Sequence, residues 1–407
     1  MPFFAMRLVF IYPYRQQSHN QLYMEKELLL RIEKIRKQLA KVGVEACLIS
    51  TPVNLLYSAG RVIGGYHYIS QSGKPLLFVR RPVGLSGDNI IYIRKPEDIP
   101  GLLLDNGFNL PETIMIEGGE MSYTDWMRLQ ACFPKSKFHD GTTDLRYVRS
   151  IKTDWELAQL RKSAEAHVRA YSRIPEVFRA GMTDIEFSIE IERIMRLEGC
   201  KGLFRTFGNM EAFMGSILTG DNASANSPYD FALGGAGDPT NPIGANGSVL
   251  LPGKSVMVDM GGNFTGYLDD VTRTYSIGKL SEKAYKAHQV AIEIEDLVQE
   301  AMKEGAVCEE VYDIAVKKAS LEGLADCFMG TTQQAKFVGH GVGLVINEPP
   351  VLALRSKEIL LPGMVLAVEP KFVIEGVGAV GIEDTFIVGK NGSEKISILE
   401  SGIIDIT

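Results

Sequence analysis

The stretch VMVDMGGNFTGYLDDVTRTY, residues 256–275, consists of two β-type runs on either side of Gly261-Gly262-Asn263-Phe264-Thr265-Gly266, which predicts an antiparallel hairpin. Asp259 and Asp270 lie symmetrically about Phe264/Thr265, so pairing across that turn sets them nearly opposite. Cross-strand neighbours approach to ~4.5–5.5 Å at Cβ. Two carboxylates that close, in strands otherwise built of Val and Met, repel one another and are costly to desolvate unless a cation joins them. On these residues alone, a solvent-facing hairpin with incidental Asp residues reads equally well.

Further along stands Gly339-His340-Gly341-Val342-Gly343, where glycine on both sides lets backbone or a ligand approach the histidine. A lone histidine is more often a packing residue than a ligand. No strand–turn–helix unit with a later acidic residue surrounds this glycine run, so it is not a dinucleotide fingerprint. A second ribbon follows in GMVLAVEPKFVIEGVGAVGIEDTFIVG, residues 363–389, with Glu369 and Glu383 symmetric about Gly376. Two ribbons that each carry an inward carboxylate pair, with a glycine-flanked histidine between them, point to one shared cation site. Four ionised carboxylates carry −4; two divalent cations would balance them and favour a bridging hydroxide at neutral pH.

The whole chain, 407 residues, is too long for one compact core, and 45% hydrophobic with 23% charged residues is a soluble globular balance that excludes wholesale disorder. Lys and Arg number 43 against 50 Asp and Glu, a net charge of −7, which argues against nucleic acid or an anionic membrane as partner. No apolar run reaches the ~18–20 residues that span a bilayer. Cys47, Cys132, Cys200, Cys308 and Cys327 are odd in number and never spaced C-x-x-C, the pattern of reduced thiols in a cytoplasmic protein. MPFFAMRLVFIYPY at the start lacks the basic segment and cleavage site of a signal peptide, so residues 1–23 read as an extension.

From Met24 to Val42, Leu28, Leu29, Ile32, Ile35 and Leu39 recur at helical steps and predict an amphipathic helix. Strand-like runs at 46–50, 75–79, 90–93 and 113–116, with a helix near 123–131, make residues 24–150 a small α/β domain. Residues 151–407 form a second domain. It opens with a charged helix at 154–174, then the capping box Thr183-Asp184-Ile185-Glu186. Loops and short strands over 203–250 follow, then the 255–277 strand pair, helices at 281–304 and 308–322, and β-rich sequence to the end.

The order Asp, Asp, His, Glu, Glu in these motifs resembles the pita-bread metallohydrolases: Xaa-Pro dipeptidase (prolidase), aminopeptidase P, methionine aminopeptidase and their non-peptidase relatives. ELLLRIEKIRKQLAKVGVEACLIS followed by NLLYSAG is similar to the creatinase-type N-terminal domain of the proline-specific branch, and LRYVRSIKTDWELAQLRKSA to its domain junction. The resemblance implies an α/β creatinase-type N-terminal domain and an α+β pita-bread catalytic domain. It further implies a homodimer that uses two divalent ions (Mn, Co, Fe or Zn) to hydrolyse Xaa-Pro bonds in dipeptides or short peptides. Asp259 would chelate one metal, Asp270 and Glu383 would bridge both, and His340 and Glu369 would complete the second, with Glu369 as proton shuttle.

Three positions depart from that pattern. Asn347 and Ser227 stand where substrate-binding histidines are expected, and Gly381 stands where an Arg commonly precedes the last ligand. Asn and Ser donate hydrogen bonds but carry no imidazolium charge. These departures favour, as alternatives, a metal-dependent lyase or non-peptide amidohydrolase on the same scaffold; a non-catalytic binding protein is a second alternative, disfavoured because all five ligands are kept. In relatives the N-terminal domain approaches the partner subunit's active site. The loop Gly64-Gly65-Tyr66-His67-Tyr68 could therefore supply His67 as a replacement imidazole. His167 and His288 fall on predicted helices as surface or packing residues, and His19 and His139 belong to no motif.

Overall fold

The computed structural model describes residues 18–208, 214–230 and 233–407, and residues 1–17 of the expected extension lie outside them. The chain divides into two compact units, residues 1–149 and 150–407. In the first, α1 (Ser18–Val42) begins ahead of Met24. Its buried stripe is Leu28, Ile32, Ile35 and Leu39, whereas Leu29 faces out, 45% exposed. Each such burial stabilises the unit by ~1.5–3 kcal/mol.

After α1 come β1 (Ala46–Ile49), α2 (Pro52–Ala59), β2 (Gly64–Ser70), β3 (Leu76–Arg81), β4 (Ile90–Tyr92) and α3 (Ile99–Asp105). The unit closes with β5 (Thr113–Ile116), α4 (Tyr123–Cys132), β6 (Lys137–Asp140) and α5 (Thr142–Ser150). The sheet runs β4-β3-β2-β1-β5-β6. Leu48, Tyr68, Phe78, Ile114 and Leu129 fill one core beneath it.

The second unit starts with α6 (Asp154–Tyr171) and α7 (Asp184–Leu197). Thr153 and Thr183 cap these helices, each in a complete capping box with a Glu. Next come β7 (Gly215–Thr219), β8 (Ser255–Asn263), β9 (Leu268–Ser276), α8 (Glu282–Ala301) and α9 (Cys308–Leu321). The remaining strands are β10 (Phe337–Gly341), β11 (Glu348–Ala353), β12 (Val365–Val368), β13 (Lys371–Ile374), β14 (Gly378–Gly381), β15 (Asp384–Val388), β16 (Ser393–Lys395) and β17 (Ile404–Asp405). They form the sheets β11-β10-β12-β15-β16 and β17-β9-β8-β7 and the ribbon β13-β14. One core joins α8 and α9 to the strands through Ala287, Ile294, Val298, Val338, Leu366 and Phe386. A second joins α6 and α7 to β8 and β9. An α/β unit followed by an α+β unit is the architecture that the resemblance implies.

His67 is not in a loop. It sits in β2, paired with Ile49 on one side and Leu77 on the other. Its ring is buried, with Nδ1 2.9 Å from the Ser58 hydroxyl. The Gly-Gly-Tyr run reads as a turn, but Gly65 is there for a close approach: a Cβ would lie 2.0 Å from the Phe78 carbonyl oxygen. An imidazole enclosed by its own sheet is not offered to a substrate. Burial pushes its pKa from 6.5 down to about 3, so the folded state binds fewer protons than the unfolded one between those values. Stability from this site is therefore present above pH 6.5 and lost as pH falls toward about 3. The stability of the native chain relative to a His67→Gln variant should shrink by up to ~1.4 kcal/mol per pH unit across that window, read from urea midpoints. A pH-independent difference would contradict it.

Candidate metal centre

The β8–β9 pair brings the two aspartates to one face, but not opposite each other. The register pairs Asp259 with Thr272 and Gly261 with Asp270. The reason is the turn: Asn263 pairs with Leu268, its Oδ1 accepts the Gly266 N–H at 3.0 Å, and Gly266 takes φ +108°. The loop centre thus falls between Thr265 and Gly266, one residue later than the symmetric reading. Because side chains alternate with period two, the offset leaves both carboxylates on the same face as diagonal neighbours.

In the second ribbon the register about Gly376 holds through two ladders: Val365 pairs with Ile387 and Val368 with Asp384, then Lys371 with Gly381 and Ile374 with Gly378. Glu369-Pro370 and Ile382-Glu383 form the step between them. There the Glu369 N–H donates to the Val338 carbonyl at 2.9 Å and the Glu383 N–H to the Thr272 carbonyl at 3.1 Å. Both glutamates are thereby turned toward the aspartates. His340 enters from β10, held between Val351 of β11 and Ala367 of β12. Its flanking glycines are required. A Cβ at Gly339 would lie 2.5 Å from the Ala367 carbonyl oxygen, and one at Gly341 would lie 2.4 Å from that of Pro349.

His340 Nε2 stands 3.4 Å from Glu369 Oε1, 3.8 Å from Asp270 Oδ2 and 4.0 Å from Glu383 Oε1. The other oxygens of the two glutamates, with Asp259 Oδ2, surround the Nζ of Lys371, at 2.7 Å (Glu369), 3.1 Å (Glu383) and 2.8 Å (Asp259). Lys371 is fully buried. The sequence reading passed over it, although a lysine two residues beyond Glu369 in the apolar run Phe372-Val373-Ile374 was the available signal.

These groups are short of positive charge. Burial and repulsion from Asp259 push the Asp270 carboxyl up to about 8, and burial with repulsion from Asp270 raises Glu383 well above the usual range. Burial would raise Glu369 too, but Lys371 and His340 beside it hold it at about 2. Burial acts to lower His340, yet its contact with Glu369 and the charge of Asp270 lift it to about 9. Glu383 Oε1 is buried and receives no hydrogen bond. An unsatisfied carboxylate oxygen beside an imidazole and two further carboxylates is a donor set that suits a divalent cation. Two groups of side chains could hold one, Asp270 with His340 and Glu383, and Asp259 with Glu369 and Glu383; Lys371 Nζ stands among the second.

Residues 158–390 match the model of metallopeptidase family M24, and residues 31–151 match the creatinase/prolidase N-terminal domain. The chain belongs to metallopeptidase family M24. It is 26% identical over 380 residues to an Xaa-Pro dipeptidase of Pyrococcus furiosus, covering 92% of this chain and 99% of the relative. An uncharacterized peptidase of Bacillus subtilis is 25% identical over 381 residues, 90% of this chain and 98% of that one. Among solved structures, an Xaa-Pro dipeptidase from Bacillus anthracis superposes with TM-score 0.76 at 24% identity, covering 93% and 99% of the two chains. The prolidase from Pyrococcus furiosus gives 0.71 at 25% identity, over 90% and 99%.

Within this M24 chain, a cavity of about 250 Å³ opens above the carboxylates, with Phe204, Leu233, Ile243, Phe337, Ile346 and Val351 among its walls. Asn347 lines it, but both ends of its amide are engaged by Phe207: Oδ1 accepts the N–H at 2.7 Å and Nδ2 donates to the carbonyl at 3.0 Å. Ser227 is not among the lining residues, and its hydroxyl accepts the Tyr229 N–H at 3.1 Å. At Gly381 a Cβ would come within 2.4 Å of the Pro370 carbonyl oxygen, so the expected arginine does not fit this backbone. His167 and His288 are both buried: His167 Nδ1 meets Asp269 at 3.0 Å, and His288 Nε2 meets the Ser401 carbonyl at 2.7 Å.

A further layer orients the carboxylates. The Thr272 hydroxyl donates to Glu383 Oε2 at 2.7 Å. Arg273 grips the neighbouring Asp384 through both oxygens, at 2.8 and 3.0 Å. Partners of this kind typically change metal affinity ~10–100-fold. A Thr272→Val variant should lose that much divalent-ion affinity in calorimetric titration while keeping its far-UV spectrum; unchanged affinity would count against Glu383 as a ligand.

Proposed function

We propose that this chain is a cytoplasmic, homodimeric, metal-dependent hydrolase that cleaves Xaa-Pro bonds in dipeptides or short peptides, with Mn, Co, Fe or Zn as its metal. The observation that carries the reading is the convergence of Asp270, His340, Glu369 and Glu383 on the floor of one largely apolar cavity. The full-length likeness to an Xaa-Pro dipeptidase supports the substrate class. A divalent ion bound there would supply Lewis acidity toward a carbonyl and lower the pKa of a water molecule.

The protein's own residues do the rest. Glu369, whose carboxylate lines the cavity 3.4 Å from His340 Nε2, is the residue placed to accept a proton from the attacking water and pass it to the leaving amine. Apolar walls take a proline ring and an aliphatic side chain and exclude bulk water.

One observation favours a second reading, a lyase or non-peptide amidohydrolase. Among the described lining residues His340 is the sole imidazole, and no Arg or Lys stands there to support an oxyanion. A panel of Xaa-Pro dipeptides, longer Xaa-Pro peptides and Met-peptides, assayed with each metal, separates the two. Cleavage of Xaa-Pro dipeptides should vanish on chelation, return with metal, and fall ~10²–10⁴-fold in Glu369→Gln. A metal-loaded protein that cleaves no peptide would transfer the assignment to the second reading.

A further inference from the structure

An ammonium group has three N–H donors and no acceptor. In Lys371 all three are spent on carboxylates of the metal centre: Asp259 Oδ2, Glu369 Oε2 and Glu383 Oε2, at 2.8, 2.7 and 3.1 Å. The point nearly equidistant from those oxygens is the point that a metal bound by the same trio requires. We propose that the Lys371 ammonium is a built-in cation standing in for one of the two divalent ions expected at this donor set, so that the chain takes up a single exogenous ion on the His340 side.

The two glutamates divide between the positions. Each turns Oε2 to Lys371 and Oε1 toward His340, where Asp270 Oδ2 completes the group. Asp270, His340 and Glu383 thus remain as one mutually close donor group, with Glu369 Oε1 3.4 Å from the imidazole, a set of oxygen and nitrogen ligands for one Mn, Co, Fe or Zn. Charge agrees with this count. Four carboxylates against one ammonium and one dication leave −1, whereas a second dication would have to enter beside a fixed positive charge.

The neighbouring strand is built to admit the lysine. Lys371 pairs with Gly381 across β13–β14. A Cβ at Gly381 would lie 2.8 Å from Lys371 Cα and 3.2 Å from its Cγ. A side chain at 381 would displace the strand that carries the ammonium, so the glycine keeps Lys371 in its place.

The inference rests on the metal-centre reading but not on the peptide substrate, and its test counts metal. Full-length protein, prepared without chelator and saturated with Mn, Co or Zn, should carry one ion per chain by elemental analysis and native mass spectrometry. Mn-loaded protein should give the EPR spectrum of isolated ions, lacking the exchange coupling of two ions that share carboxylates. Lys371→Gly and Lys371→Met should each take up a second ion, and added metal should raise their melting temperature more than that of the native chain. Two ions per native chain, or a coupled Mn spectrum, would overturn the lysine assignment and leave the metalloenzyme reading intact. No ion in the native chain after reconstitution would overturn both. Should the variants fail to fold, the native-chain count and spectrum decide alone.

Discussion

Four carboxylates held within a few ångströms, nearly all out of contact with water, set the terms for the second unit. Like charges at that range repel, and burial adds a desolvation cost that only nearby cations and donors offset. The β architecture meets this by crossing ribbons. β8–β9 brings Asp259 and Asp270, the step between the β12–β15 and β13–β14 ladders brings Glu369 and Glu383, and β10 adds His340. None of these strands could slip by one residue without sending its acid to the other face. The Arg273–Asp384 pair, with Lys395 and Ser397 also on Asp384, fixes the backbone next to Glu383 from behind. Positive charge thus supports the acids from two depths.

Much of this was legible because strand pairing obeys symmetry. Gly376 marks the centre of a register common to the Val365–Ile387 and Ile374–Gly378 ladders, so the glutamates at the step between them could be read from spacing. The same reasoning missed at Asp259 and Asp270 by one turn residue, since the Asn263 side chain, invisible to periodicity, moves the turn. The capping box at Thr183 was readable from local chemistry, whereas the equivalent box at Thr153 was passed over. β2 was not. Gly-Gly-Tyr-His-Tyr carries a turn signature, and only the approach of the Phe78 backbone explains why glycine sits in a central strand. Lys371 escaped because a charge in an apolar strand has meaning only once its three partners are known.

Two of the three departures from the family pattern lie near the acids. Gly381 faces Lys371 across one rung, and Asn347 is clamped to the Phe207 backbone at the cavity wall. A histidine at 347 could not make both of those amide contacts, because an imidazole presents one donor and one acceptor in a different geometry. The amide at 347 therefore ties the backbone at residue 207 to the cavity wall.

A lysine and a metal ion are unequal cations. Both neutralise carboxylates, but an ammonium has no open coordination position and cannot polarise a carbonyl as a Lewis acid; it supplies charge and direction alone. With Lys371 holding Oε2 of both glutamates, their Oε1 atoms are left facing Asp270 and His340 in fixed orientation. Pre-organisation of that kind lowers the cost of assembling the remaining cation position, because fewer side chains must be ordered when an ion arrives. On the single-ion proposal, Lewis acidity is then confined to the His340 side of the carboxylate cluster.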